Sequence, residues 1–277
     1  MKFRGITILL FTAFVFSSFY KRPIVWVAIG DSFTYLNDHA DETGGRVSQG
    51  YMTMVVNKLS NIQVVNQGHN GWTAGNIAEK IDSIGLVSAD VYSVLLGTND
   101  WWQGRPVGTI NDFHNNKGNG TFNGSFRIII NKLKSLNPAA KIILITPMQR
   151  TDFVYVNDPT NNAHGSYKEK NGQSMEQFSN AIEAIGKVEN LEVINLFKNK
   201  KLSMGKLVKF KHAKDPATGE YKNLRYPHYV DVPYNPESDE YPYPVKSINI
   251  TYDGLHPSDK GNRVIAKELV KILRHLN

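Results

Sequence analysis

Ile24-Val25-Trp26-Val27-Ala28-Ile29-Gly30-Asp31-Ser32 is the stretch that decides how this chain folds. Six apolar residues run without alternation into a glycine and two small polar residues. A strand that is apolar on both faces has no solvent side, as in a parallel sheet covered by helices. The same form recurs downstream. Gln63-Val64-Val65-Asn66 is a shorter candidate, and Val91-Tyr92-Ser93-Val94-Leu95-Leu96 ends at Gly97. Lys141-Ile142-Ile143-Leu144-Ile145 ends at Thr146-Pro147, and Leu191-Glu192-Val193-Ile194 completes the set.

Helical periods lie between these runs. Tyr51, Met54, Val55 and Leu59 share one face, and Phe126, Ile129, Ile130, Leu133 and Leu136 follow the i, i+3, i+4, i+7 pattern. Asn137-Pro138 ends that second helix, because proline disfavours a helical residue before it. Met175, Phe178, Ile182 and Ile185 form another stripe. Ser258 is placed to cap a last helix whose inner face is read as Ile265, Leu269, Ile272 and Leu276. Strands alternating with helices predict an α/β fold of three layers, α/β/α, with helices on both faces of a parallel sheet. Two stretches break the rhythm. Residues 101–123 read as a long Gly/Asn-rich loop. Residues 205–250 read as an insertion holding a hairpin, with its turn at Asp215-Pro216-Ala217-Thr218-Gly219.

The whole chain has 277 residues, enough for one large domain or two small ones, and no linker divides it. Hydrophobic residues at 41% and charged residues at 21% exclude a disordered or fibrous protein. The formal charge of +7 is spread thinly, without the concentrated basic patch that binding to nucleic acid requires. Cysteine is absent, which removes disulfides, thiolate catalysis and Cys-ligated metals. Residues 1–20 read as an export signal: Lys2 and Arg4, then an apolar run from Ile6 to Phe16, then Ser17-Ser18. That run of eleven is short of the roughly 20 residues of a bilayer span. The expectation is a secreted or periplasmic protein without a stable membrane span, its domain covering residues 21–277.

In open α/β sheets, ligands bind beyond the carboxyl ends of the strands. Four short motifs sit there. They are Gly30-Asp31-Ser32, Asn66-Gln67-Gly68-His69-Asn70-Gly71-Trp72-Thr73, Gly97-Thr98-Asn99-Asp100 and Asp253-Gly254-Leu255-His256-Pro257. Together they can perform acyl transfer. A serine hydroxyl needs a base within reach, which His256 supplies to Ser32. The imidazole needs a carboxylate on its other nitrogen, which Asp253 supplies if residues 253–257 turn tightly. An oxyanion needs preorganised donors, and the Ser32 N–H, the Gly71 N–H and the Asn99 amide suit in type.

These motifs resemble the four blocks of the SGNH (GDSL-type) hydrolase family, in the family's order, over residues 24–275. The resemblance implies a flavodoxin-like sheet of about five parallel strands, order 2-1-3-4-5. It also implies a serine esterase needing neither metal nor cofactor. Carried over by position, Ser32 is the nucleophile and first oxyanion donor, and Gly71 and Asn99 are the other donors. His256 is the base and Asp253 orients it. By spacing Gly71, not Gly68, matches the donor. The family often has Asp where Trp72 stands. The remaining histidines form no i, i+4 pair and no metal-binding signature.

The family spans lipases, thioesterases, lysophospholipases and sugar deacetylases, so the substrate is argued from local features. Asp31, Trp101, Trp102 and Arg150 are the candidate substrate contacts. Trp101-Trp102 follow Asn99-Asp100, so that one ring faces the cleft or both pack under the long loop. Arg150 either reaches a substrate hydroxyl or carboxylate or lies on the surface. The insertion carries six tyrosines (Tyr221, Tyr226, Tyr229, Tyr234, Tyr241 and Tyr243) and is read as a lid, a platform, a peripheral hairpin or an oligomer contact. It is polar and basic, without the wide apolar lid of a long-chain lipase. The expected substrate is a small-molecule or polysaccharide ester, most simply an acetylated carbohydrate. The alternatives are a lipid or lysophospholipid acylhydrolase and a non-catalytic sugar-binding protein on the same fold.

Overall fold

In a computed structural model, residues 22–276 are described; the segment read as an export signal lies outside them. The strands are β1 (Ile24–Gly30), β2 (Ile62–Gly68), β3 (Val91–Leu95), β4 (Lys141–Ile145), β5 (Phe153–Val154), β6 (Asn162–Ala163), β7 (Glu192–Ile194), β8 (Lys211–Lys214) and β9 (Tyr221–Leu224). The α-helices are α1 (Ser32–Tyr35), α2 (Tyr51–Lys58), α3 (Ala74–Lys80), α4 (Thr98–Trp102), α5 (Ile110–His114), α6 (Phe122–Leu136), α7 (Met175–Glu189), α8 (Met204–Leu207) and α9 (Asp259–Leu273). The main sheet has five strands in the order β2-β1-β3-β4-β7, all parallel. This is the expected flavodoxin-like order, with helices on both faces.

The unalternating apolar runs split between two cores. Trp26, Ala28, Val91, Ile143 and Ile145 face α2 and α9, meeting Tyr51, Met52, Val55, Ile265, Leu269 and Leu273. Val27, Ile29, Tyr92, Val94, Ile142 and Leu144 face α3, α6 and α7, meeting Ile77, Phe126, Ile129, Leu133, Phe178 and Ile182. Burying a side chain of this size stabilises the fold by roughly 1.5–3 kcal/mol. Truncating Phe126 to Ala removes such a contribution and leaves a cavity, at a cost of about 3–5 kcal/mol. The Trp26 indole N–H donates to Ser93 Oγ at 2.9 Å, so the one polar atom this ring brings inside is satisfied.

Two expectations need correction. Residues 101–123 are not a structureless loop, because α4 ends and α5 lies within them. A Thr109–Asp112 capping box starts α5, and Phe113 buries its apolar side. In α9 the inner stripe runs Ile265, Leu269, Leu273, while Ile272 is half-buried and Leu276 sits exposed in a 3-10 turn past the helix. The i, i+4 spacing continues to Leu273, and the helix stops before Leu276 could join it.

Register places the chemistry. Gly30 is level with Gly68 on one side and Leu95 on the other, so β1, β2 and β3 end at one height. The segments that leave them therefore meet above the sheet.

Candidate active site

Ser32 begins α1 directly after β1. Asp31 caps that helix, accepting the Phe33 N–H at 3.1 Å. Burial pushes the Asp31 carboxyl up to about 6, against the Phe33 bond and the nearby His256. The turn is tight enough that a Cβ on Gly30 would lie 2.1 Å from Thr34 Oγ1. Thr34 Oγ1 in turn pairs with the Tyr51 hydroxyl at 2.9 Å, tying α1 to α2.

His256 approaches from the other end of the chain. Its Nε2 lies 2.8 Å from Ser32 Oγ and its Nδ1 lies 2.7 Å from Asp253 Oδ2. Asp253 is fully buried, and its Oδ1 accepts the backbone N–H groups of Leu255 and His256 at 3.0 and 2.7 Å. This is the tight turn the motif requires. Phe33 and Phe153 present edges to the imidazole, and Tyr252 stacks along it. Gly254 takes φ +90°, and a Cβ there would lie 1.8 Å from the Asp152 carbonyl oxygen. Glycine is required at that position by space and by backbone alike.

Gly71 follows β2, and Asn99 stands in the first turn of α4 after β3. Gly71 takes φ +74° in open surroundings, with nothing within 4 Å of where a Cβ would stand. Gly68 differs: a Cβ there would lie 2.1 Å from the Tyr35 nitrogen, so this glycine serves the close approach of β2 to α1. Asn99 Nδ2 donates to the Trp72 carbonyl at 2.9 Å, which aims the amide while leaving its second N–H. Asp100 accepts the Ala74 N–H with both carboxylate oxygens at 3.1 and 2.9 Å, so the third motif grips the start of α3. Burial raises the Asp100 carboxyl to about 7, with the Ala74 bond and Arg105 opposing. Trp72, where the resembled family often has Asp, stacks on His69 at 4.2 Å between ring centroids.

Of the candidate substrate contacts, Trp101 is fully buried and its indole donates to the Gln173 carbonyl, so that ring packs under the loop and does not face the cleft. The Trp102 ring is half-buried, with the Lys170 ammonium 3.6 Å from its centroid. Arg150 is buried, not superficial, at 2% exposure. Asp31 acts within α1 as a cap.

Several residues around the centre carry no motif. A pocket of about 100 Å³ beside His256 is lined by Leu36, Glu42, Asn70, Phe153, Tyr155 and Asn161, with Tyr252. No residue of the 205–250 insertion lines it. The insertion is anchored to the 152–154 segment instead. Lys211 Nζ lies 2.7 Å from Asp152 Oδ2, the Tyr243 hydroxyl donates to the Asp152 carbonyl at 2.7 Å, and the Tyr241 hydroxyl donates to the Val154 carbonyl at 2.9 Å. A lysine on a polar hairpin gives no sign in sequence that it is fully buried; its pairing with Asp152 appears only once the two segments meet. Larger grooves of about 690 and 550 Å³ include Ile24, Lys141 and Glu192, which begin their strands, at the end of the sheet opposite the four motifs.

This arrangement joins a hydroxyl, an imidazole and a carboxylate in one hydrogen-bonded chain, the arrangement that activates a serine for acyl transfer. Comparison with known proteins agrees. A protein described as a possible lipase from Chitinophaga pinensis has 59% sequence identity and a TM-score of 0.89, over 91% of this chain and 98% of that one. An acetylxylan esterase from Geobacillus stearothermophilus, solved as a catalytic mutant, shares the fold at 17% identity and TM-score 0.51, over 90% and 93% of the two chains. A lipase/acylhydrolase from Enterococcus faecalis also has TM-score 0.51 at 17% identity, over 91% and 96%. No curated protein matches the sequence. The family model for GDSL-like lipases and acylhydrolases matches residues 28–264, and the chain belongs to that family.

Proposed function

We propose that this protein is an exported serine esterase that removes small acyl groups, acetyl above all, from carbohydrate. The observation that carries it is the unbroken chain Ser32 Oγ–His256–Asp253, at 2.8 and 2.7 Å. Ser32 attacks the ester carbonyl as His256 takes its proton. The oxyanion is held by the N–H groups of Ser32 and Gly71 and by Asn99 Nδ2. His256 then protonates the leaving alcohol and, in the second half, activates the water that releases the acid from the acyl-enzyme.

The pocket beside His256 supports a small acyl group. Its volume is about 100 Å³, and Phe153 and Tyr155 wall it. The polar groups around it, Asn70, Asn161 and Glu42, favour a hydroxylated leaving group. The acetylxylan esterase activity of the Geobacillus protein is compatible with this reading. Export rests on the N-terminal sequence pattern.

Hydrolysis of p-nitrophenyl acetate beside the octanoate ester, with Ser32→Ala as control, tests the proposal. Acetate turnover that disappears in the variant is expected. Preference for octanoate moves the assignment to lipid esters, in line with the description of the Chitinophaga protein. Absence of serine-dependent turnover on these and on acetylated glycans leaves a sugar-binding protein.

A further inference from the structure

The second motif carries two rings that the reaction above does not use. His69 and Trp72 stack at 4.2 Å between ring centroids, 17° from parallel. They stand at the first and fourth positions of a turn. The Trp72 N–H donates to the His69 carbonyl at 3.1 Å, and Gly71, at the third position, takes φ +74°. A type II turn has this form, and glycine supplies the left-handed conformation it needs. The Gly71 N–H belongs to the central peptide of the turn, so whatever fixes the turn fixes the direction of that donor.

Backbone groups of the same turn reach the first and third motifs. The His69 N–H donates to the Gly30 carbonyl at 2.9 Å, just ahead of Ser32. The Trp72 carbonyl accepts Asn99 Nδ2 at 2.9 Å, and the Gly71 carbonyl accepts Gln103 Nε2 at 3.2 Å. One turn thus joins the segments that bear Ser32, Gly71 and Asn99. Trp72 is further packed against the core that holds Ala74 and Ile77.

The His69 ring serves as a surface and not as a base. Its Nε2 is buried and meets no hydrogen-bond partner among the described residues. A proton on that atom would lack an acceptor, and burial lowers the pKa of the ring. What the imidazole offers is a flat face, against which Trp72 lies.

We propose that the His69–Trp72 stack positions the oxyanion donors, by locking the turn that presents the Gly71 N–H and holds the Asn99 amide. Both are positioning residues, acting on the reaction through Gly71 and Asn99. This rests on the serine-esterase reading, which names those donors, and adds what holds them in place.

Steady-state hydrolysis of p-nitrophenyl acetate by His69→Ala, Trp72→Ala and the double variant tests it, with folding checked by circular dichroism. Each change leaves every backbone donor and acceptor of the turn in the chain. Each single change is expected to lower kcat roughly 10–100-fold with KM little changed, as misplaced donors do. The double variant should be no slower than the slower single, because the same stack is lost in all three. His69→Phe should recover most of the loss, since it returns a ring without a titrating nitrogen. The pH dependence of kcat/KM, set by His256, should stay in place. If Trp72→Ala does not fold, the two His69 variants decide alone. Unchanged kcat in folded His69→Ala protein, a loss carried by KM, losses that multiply in the double variant, or no recovery in His69→Phe overturns the positioning role. A displaced pH profile overturns it too, because the damage then lies at His256. Failure of the esterase reading is seen separately, as wild-type protein without serine-dependent turnover of the same ester.

Discussion

Lys211 Nζ and Asp152 Oδ2 lie 2.7 Å apart, with the lysine fully buried and the aspartate nearly so. The pair fastens the inserted hairpin to the loop that packs against Gly254. Removing one partner of a buried pair strands the other charge, typically at 3–5 kcal/mol. Lys211→Met is therefore expected to lower unfolding free energy by about that amount, read by urea titration. Adding Asp152→Asn should recover part of the loss. A Lys211→Met protein as stable as the wild type would show that the pair does not seat the hairpin.

Gly254→Ala is expected to fold poorly or to lose most activity. The added Cβ would stand only 1.8 Å from the Asp152 carbonyl oxygen, so one of the two segments must shift, and φ +90° is strained for alanine. The shift displaces His256 from Ser32, so kcat should fall more than KM changes. Steady-state kinetics on the soluble fraction decides it, and near-normal kcat contradicts the assigned geometry.

Asn99→Ala removes an amide donor while leaving Ser32 and His256 in place. If the amide stabilises the oxyanion, kcat falls about 10²–10³-fold, equivalent to roughly 3–4 kcal/mol, with KM little changed. A rise in KM at constant kcat would assign Asn99 to ground-state binding.

Asp100 gives a pH prediction. Its folded carboxyl is pushed from 3.8 up to about 7, chiefly by burial. The fold thus prefers the protonated form, and the associated stability is present at low pH and lost as pH rises through about 4 to 7. The stability difference, wild type minus Asp100→Asn, should fall across that window by up to about 1.4 kcal/mol per pH unit. Urea unfolding at each pH measures it. A flat difference would place the carboxyl near its ordinary value.

The sequence carried most of this. Strand runs such as Val91 to Leu95 are apolar because both faces are covered, and the motif glycines stand where the chain turns left-handed, as at Gly71, Gly97 and Gly254, or where a Cβ would meet a neighbour, as at Gly30 and Gly68. Ser32, His256 and Asp253 were legible because their chemistry fixes their types and turns. What stayed hidden depends on long-range packing. The burial of Arg150 follows from rings at Trp101, Trp102 and Phe153, none of which predicts the others. Residues 205–250 read as a lid, a platform, a peripheral hairpin or an oligomer contact alike, and the contacts of Lys211, Tyr241 and Tyr243 that anchor them to the 152–154 segment appear only in the fold.

The hydrogen bond between Ser32 and His256 closes a span of 224 positions, nearly the whole described chain. Such a contact forms only after the intervening sheet has assembled, since loop closure must be compensated by the contacts it allows. Hydrolytic competence is therefore a late acquisition in folding, and recovery of turnover after dilution from denaturant should trail the return of helical signal. The same span makes the centre vulnerable: a local opening at α9 or at the 253–257 turn silences chemistry while most of the sheet stands.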